Sequence, residues 1–429
     1  MPHLSLSFLT SCRLYQLIKV CPHCYLSFHK PLERHARETM MMEATPALFA
    51  PFVFANGITL RNRVVMAPMT TWSANDDGTV SDEEVSYYRR RVNGVGLVLT
   101  GCTHVSPNGI GFTGEFASYD DSFTPSLRRL AEAAKSGGAP AILQIFHAGS
   151  KAVPALVPDG DVVSASSLQV SPGPFNPGGG TTRALSHDEI LDVISAFGEA
   201  TRRAIEAGFD GVELHAAHGF LIQNFYSPLH NHRDDEWGGT PENRMRFPLA
   251  VVRNVRQVIG AHATRPFLLG YRVSPEEPEE GGLRIEDTYE LIEHLIDGGV
   301  DYIHASLTSV LEAQPLEAIA DQPIAELIAA RVAGRIPVIA AGQIKSPQQA
   351  ESALHLGLSL VAVGQGLVIN PEWVELSRSG KEKLIENEIR TTTIPEIALP
   401  AKLWGVLEAA TGWFNINDDH DAQRQKATV

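Results

Sequence analysis

Eight short apolar runs recur along the chain: NRVVMAP, VGLVLTG, PAILQIFH, DGVELHA, RPFLLGYR, VDYIHAS, IPVIAAG and LSLVAVG. They lack the in–out alternation of half-exposed strands and read as parallel strands buried on both faces. Between them lie helical patterns such as SDEEVSYYRRRV, SFTPSLRRLAEAAKSG, SHDEILDVISAFGEATRRAIEAG and IEDTYELIEHLIDGG. Several open on Ser or Asp ahead of acidic residues, which suits an N-cap, and three end in Gly, which suits a helix C-terminus. Eight βα units in series predict a closed (β/α)8 TIM barrel. An open doubly wound sheet is the alternative. It normally announces its nucleotide site with a Gly-rich first turn, and the turn after NRVVMAP holds no GxGxxG.

The 429 residues allow one large domain or two to three ordinary ones. A chain of this length buries roughly three quarters of its unfolded surface and needs no disulfide or metal staple. A net charge of −15 argues against nucleic acid or an anionic membrane as a general partner. No apolar run of about 18 residues exists to span a bilayer. Of four cysteines, Cys12, Cys21 and Cys24 crowd the N-terminus and only Cys102 lies in the body, as in a protein of the reducing cytoplasm. CPHC is followed too closely by His29 and His35 for a zinc finger, so no metal is expected there.

Residues 1–41 are basic and without clear periodicity. They read as an N-terminal extension, either a transit segment or, the favoured expectation, an over-extended start upstream of Met40, Met41 and Met42. Residues 42–375 are assigned to the barrel. Residues 376–429 form an extension whose apolar LWGVLEAATGWFNIN packs on it, with the last dozen residues solvated and disordered.

Two excursions, residues 150–182 and 230–243, follow strands and so belong on the C-terminal face, where barrel enzymes carry their sites. Polar and small residues gather at the strand ends. Gly342 and Gly364 end strands 7 and 8, the expected phosphate position in such barrels, although both also suit plain turns. Arg272 lies in an apolar strand and needs an anionic or electron-rich partner, or an ion pair. His215 and His218 at the end of strand 4 leave three readings open: metal ligands, oxyanion donors or structural histidines.

The segment LHAAHGFLIQNFYSPLHNHRDDEWGGTPENRMRFPL, with NRVVMAPMT before it and VAVGQGLVINPEW after it, resembles the bacterial-type branch of the old yellow enzyme family of FMN-dependent oxidoreductases. The likeness spans about residues 48–375. It implies an FMN-binding barrel reduced by NADH or NADPH, with a small-molecule enone as substrate and flavin N5 passing hydride to the substrate β-carbon. Ala67, Pro68, Met69 and Thr70 match the segment bordering the flavin, Thr70 near its O4. Cys102 matches a position packed at the ring, Gln144 the glutamine on its pyrimidine portion, and Arg272 the arginine near N1 and the C2 carbonyl. Gly342, Gly364 and Gln365 match the phosphate loops. His215 and His218 match the pair that holds the substrate carbonyl oxygen, and Trp72 an aromatic pocket residue.

Three departures stand out. Phe220 replaces the tyrosine that delivers a proton to the substrate α-carbon in many members, leaving water or another hydroxyl such as Tyr226 to do so. Gln365 replaces an arginine that pairs with the FMN phosphate. The C-terminus lacks an evident Arg–aromatic end that reaches into a neighbouring subunit, so whether the chain forms a homo-oligomer stays open. A flavin-dependent isomerase, a low-turnover flavoprotein and, more remotely, a metal-dependent barrel hydrolase are the competing readings.

Overall fold

The computed structural model describes residues 47–172, 178–317 and 321–417. The expectations for residues 1–41, including the cysteines there, and for the last dozen residues lie outside the described residues.

Eight parallel strands, paired in chain order, close into a barrel. They are β1 (Val64–Met66), β2 (Leu97–His104), β3 (Ala141–Phe146), β4 (Gly211–Ala216), β5 (Leu268–Val273), β6 (Tyr302–Ser306), β7 (Val338–Ala341) and β8 (Leu360–Val363). Each falls on one of the eight apolar runs, β2 and β5 extending past theirs, and the fold is the closed TIM barrel expected from them rather than an open sheet. Every residue of β3, β4 and β5 is buried, which is why these runs show no alternation.

The barrel is filled rather than hollow. Val65, Leu97, Leu99, Ile142, Leu268, Tyr302, Ile339 and Leu360 form one internal apolar cluster. Leu60, from the antiparallel pair Phe52–Val53 and Thr59–Leu60, and Phe54, just past the first strand of that pair, join it. Tyr302 fits only because Gly270 faces it: a Cβ at Gly270 would lie 2.0 Å from the Tyr302 ring. That plug leaves the C-terminal strand ends as the open face.

The helices are α1 (Asp82–Arg91), α2 (Thr124–Lys135), α3 (His187–Ala207), α4 (Leu221–Tyr226), α5 (Pro241–His262), α6 (Ile285–Asp297), α7 (Ile324–Val332), α8 (Pro347–His355), α9 (Gln365–Ile369), α10 (Trp373–Arg378) and α11 (Ala401–Ala409). Their ends follow the local chemistry. Ser81 caps α1 by accepting from Glu84 N, and Ser186 and Glu189 form a reciprocal capping box on α3. Gly208 ends α3 with φ 92°, a conformation in which an L side chain is strained.

Two details differ from the sequence reading. β2 runs on through Cys102 to His104, with a register shift between Leu99 and Cys102 that keeps it paired with β3. The excursion at 230–243 is shorter, because Thr240 caps α5 and Pro241 opens its first turn. No helix among the described residues is long and apolar enough to cross a membrane.

The C-terminal segment lies against the barrel. Arg91, buried in α1, donates to the carbonyls of Leu367 and Ile397, and Lys402 Nζ donates to Ala74 O at 3.1 Å. Trp413 meets Trp72 edge to face at 6.0 Å between centroids.

Candidate active site

A cavity of about 1280 Å³ opens at the C-terminal ends of the strands. Its lining includes Ala67, Pro68, Met69, Thr70, Trp72, Cys102, Gln144, His215, His218, Phe220, Arg272, Gly342, Gly364 and Gln365, all of them positions that the resemblance placed at the flavin or the substrate. Pockets for one ligand run to roughly 300–1,000 Å³, so this volume has room for a cofactor and a second molecule.

Its deep wall is polar. Gln144 and Glu213 are register partners on β3 and β4, and Gln144 Nε2 donates to Glu213 Oε1 at 2.7 Å. The other Glu213 oxygen lies 3.0 Å from His304 Nδ1, and both side chains are fully buried. Burial works against the Glu213 charge, but His304 and Arg272 outweigh it and hold the carboxyl below its ordinary value. Burial also depresses His304, against the pull of Glu213. The pair is a carboxylate hydrogen-bonded to an imidazole in a site closed to solvent. Arg272 pairs in register with both His215 and His304. Its Nη2 donates to Ser306 Oγ at 3.0 Å, while its buried Nε has no partner among the described residues.

At the end of β4 the His215 and His218 rings lie 4.9 Å apart at 77°. Burial, then the neighbouring His218, Arg272 and His304, push His215 well below the usual histidine range. Burial followed by Arg272 and His304 brings His218 down to about 3. Both are neutral at physiological pH. His218 has φ 61°, and two serines hold it there: its N–H donates to Ser274 Oγ at 2.9 Å, and its Nε2 lies 2.8 Å from Ser306 Oγ. Phe220 stacks edge to face on His215 at 4.7 Å and on Phe146 at 4.8 Å, inside an apolar cluster with Cys102.

These residues fit FMN. Arg272 Nε, without a partner among the described residues, and the Gln144 amide, one of whose hydrogens goes to Glu213, supply polar groups in the cavity, as the edge of an electron-rich ring requires. A Cβ at Gly342, where φ is 156°, would meet Leu307 O at 2.5 Å, so this wall is backbone by necessity. Gln365 lines the same end, but its Nε2 donates to Trp413 O at 2.6 Å, so that amide group ties down the C-terminal segment.

Other expectations need correction. Tyr226 is not at the cavity: its hydroxyl donates to Asp287 O at 2.6 Å, in the gap between α4 and α6. Residues 230–243 contribute nothing to the lining, because His232 N bonds Ser166 Oγ and the loop packs on the other excursion. Among the described residues of 150–182, Val153 and Leu156 are the ones that reach it. The sequence reading missed Phe112 and Thr113 beyond β2, Ser306 and Thr308 at the end of β6, and Lys402, Val406 and Trp413 of the tail. Ser306 was legible as the last residue of VDYIHAS. The tail was legible only as an apolar segment needing a partner.

Support for the rim comes from α1. Thr71, between Thr70 and Trp72, donates to the fully buried Glu84, whose carboxyl burial pushes up to about 7. The folded pKa lies above the unfolded one, so this contribution to stability is complete below about pH 4.5 and is lost as pH rises through 7. Glu84→Gln keeps the acceptor for Thr71 and removes the titration. Chemical denaturation should show the parent losing about 3 kcal/mol relative to the variant between about pH 4 and pH 8. Parallel stability profiles would refute this.

A model of the NADH:flavin oxidoreductase / NADH oxidase family matches residues 47–383. The chain is 43% identical over 371 residues to the probable NADH-dependent flavin oxidoreductase YqiG of Bacillus subtilis (strain 168), covering 86% of this chain and 98% of that protein. It is 38% identical over 366 residues to the NADH:fumarate oxidoreductase of Klebsiella pneumoniae (strain 342), covering 85% of this chain but 39% of that longer protein. Among solved structures, the old yellow enzyme homologue from Zymomonas mobilis aligns with a TM-score of 0.68 at 27% identity, over 79% of this chain and 93% of that one.

Proposed function

The chain belongs to the NADH:flavin oxidoreductase / NADH oxidase family, of old yellow enzyme type, and from that premise we propose that it reduces the C=C bond of apolar α,β-unsaturated carbonyl compounds. It is an FMN enzyme reduced by NADH or NADPH. When bound, FMN supplies two-electron redox chemistry, linking oxidation of the nicotinamide to reduction of an organic acceptor.

One observation carries the reading: two neutral imidazoles side by side in a cavity that also contains Gln144 and Arg272. Neutral imidazole N–H groups donate to a carbonyl oxygen and polarise it, which makes the conjugated β-carbon electrophilic. In this reading Arg272 and Gln144 hold the isoalloxazine edge, Ala67 to Thr70 and Cys102 flank it, and Gly342, Gly364 and Gln365 border the phosphate end. The metal-hydrolase reading lacks a third ligand, since no group of three His, Cys, Asp or Glu among the described residues is arranged to hold a metal.

The outer cavity favours apolar substrates. Phe112, Val153, Leu156, Val406 and Trp413 line it, and beyond Arg272 the lining includes one further cation, Lys402. Lys402 is already bonded to Ala74 O and approaches Asp76. A dicarboxylate would bury its second charge here without a free partner.

The α-carbon proton has no tyrosine donor among the lining residues, whose hydroxyls are those of Thr70, Thr113, Ser306 and Thr308. Phe220→Tyr should raise enone reduction by about ten-fold or more, within the usual contribution of a general acid. An unchanged rate would mean that the missing hydroxyl is not limiting. The function itself is tested by incubating the FMN-loaded protein with cyclohexenone and excess NADH or NADPH. A saturated ketone formed in step with nicotinamide oxidation is expected. A shifted double bond without nicotinamide consumption would favour the isomerase.

A further inference from the structure

Ser306 lies between the two charged or polar groups that matter most in the cavity. Arg272 Nη2 is 3.0 Å from its Oγ, and His218 Nε2 is 2.8 Å from the same atom. A guanidinium only donates, so the Ser306 oxygen accepts from Arg272. The hydroxyl then has one hydrogen left to place, and His218 Nε2 is the acceptor within reach. The opposite arrangement would fill both lone pairs of the oxygen, which a hydroxyl allows, but it would leave the hydroxyl hydrogen without an acceptor among the described residues.

His215 is fixed by a different group. Its Nδ1 lies 3.3 Å from Ala217 N, and a backbone N–H can only donate. His215 therefore carries its proton on Nε2, and by the same reasoning His218 carries its proton on Nδ1.

We propose that Ser306 is a positioning residue that holds His218 in the Nδ1–H tautomer, with Arg272 favouring the choice by filling one acceptor site of the Ser306 oxygen and turning its hydrogen toward His218. The two histidines then hold opposite tautomers, each with one N–H left to give. This builds on the reading of the pair as holders of a substrate oxygen, because each ring must keep one N–H free to give to it. The low pKa of His218 is consistent with a neutral ring that accepts at Nε2. Arg272 thereby has a second role: its charge reaches the substrate site through a hydroxyl as well as acting where it stands.

The test is a long-range ¹H–¹⁵N correlation spectrum of FMN-loaded protein labelled in the histidine rings, with His218 assigned by substitution. The Nδ1–H pattern is expected for His218 in the parent and in Ser306→Thr, which keeps the hydroxyl. Ser306→Ala should shift His218 toward the Nε2–H form. An Nε2–H or doubly protonated His218 in the parent would overturn the proposal, as would an Nδ1–H form that survives Ser306→Ala. Para-nitrophenol, titrated by its visible absorbance, checks the reading beneath. Ser306→Ala should weaken its binding about ten-fold and Ser306→Thr should restore it. If the tautomers behave as expected but the phenol binds every variant and His215→Ala alike, the tautomer assignment stands and the oxygen-holding role falls.

Discussion

His215→Ala lowers the rate of enone reduction by about 10²–10³-fold while leaving FMN bound. A preorganised donor aimed at developing oxyanion charge is typically worth that much, and His215 Nε2–H is such a donor in a cavity lined by Phe146-packed Phe220 and Arg272. The effect should fall on kcat more than on cofactor content, because the ring packs against Phe220 and His218 rather than within the Gln144–Glu213–His304 network. Stability should change little, since the lost ring faces an existing cavity and opens no sealed void. Phenol binding should weaken in parallel. A variant that turns over within about three-fold of the parent would remove His215 from the chemistry.

Arg272→Met should make the bound flavin harder to reduce. The guanidinium is buried, and Nε has no partner among the described residues. Burial lowers its pKa, yet Glu213 and Cys102 oppose that loss, and the group stays a cation. A charge-assisted hydrogen bond is worth about 1.5–3 kcal/mol, or about 30–65 mV for a two-electron couple. The midpoint potential should therefore fall by that amount, and FMN should dissociate more readily. Arg272→Lys should recover only part of the loss, because an ammonium lacks the planar fork. Equilibration with redox dyes reads the potential directly; a value unchanged or raised in Arg272→Met would contradict the assignment.

Much of this site is legible in the sequence, for a definite reason. Barrel strands are buried on both faces, so Gln144, His215 and Arg272 stand out as polar residues in apolar runs, and a closed barrel brings all strand ends to one rim. What stayed hidden depends on how loops and tail fold back over that rim. Phe112 is held by Glu115, whose carboxylate accepts from Gly111 N and Phe112 N while pairing with His104; no local pattern announces that anchor. Trp413 reaches the cavity because Gln365 bonds its carbonyl and Arg91 fixes Ile397, contacts between residues far apart in the chain. Tyr226 offered a hydroxyl to stand in for the one Phe220 lacks, but α4 turns that hydroxyl toward Asp287.

The most direct measurement follows the visible spectrum of the FMN-loaded protein under anaerobic conditions through two additions. One equivalent of NADH or NADPH should bleach the flavin band, and one equivalent of cyclohexenone should then restore it while yielding the saturated ketone. A flavin that bleaches but is not reoxidised by any enone, yet recovers with another acceptor, would contradict the proposed reaction.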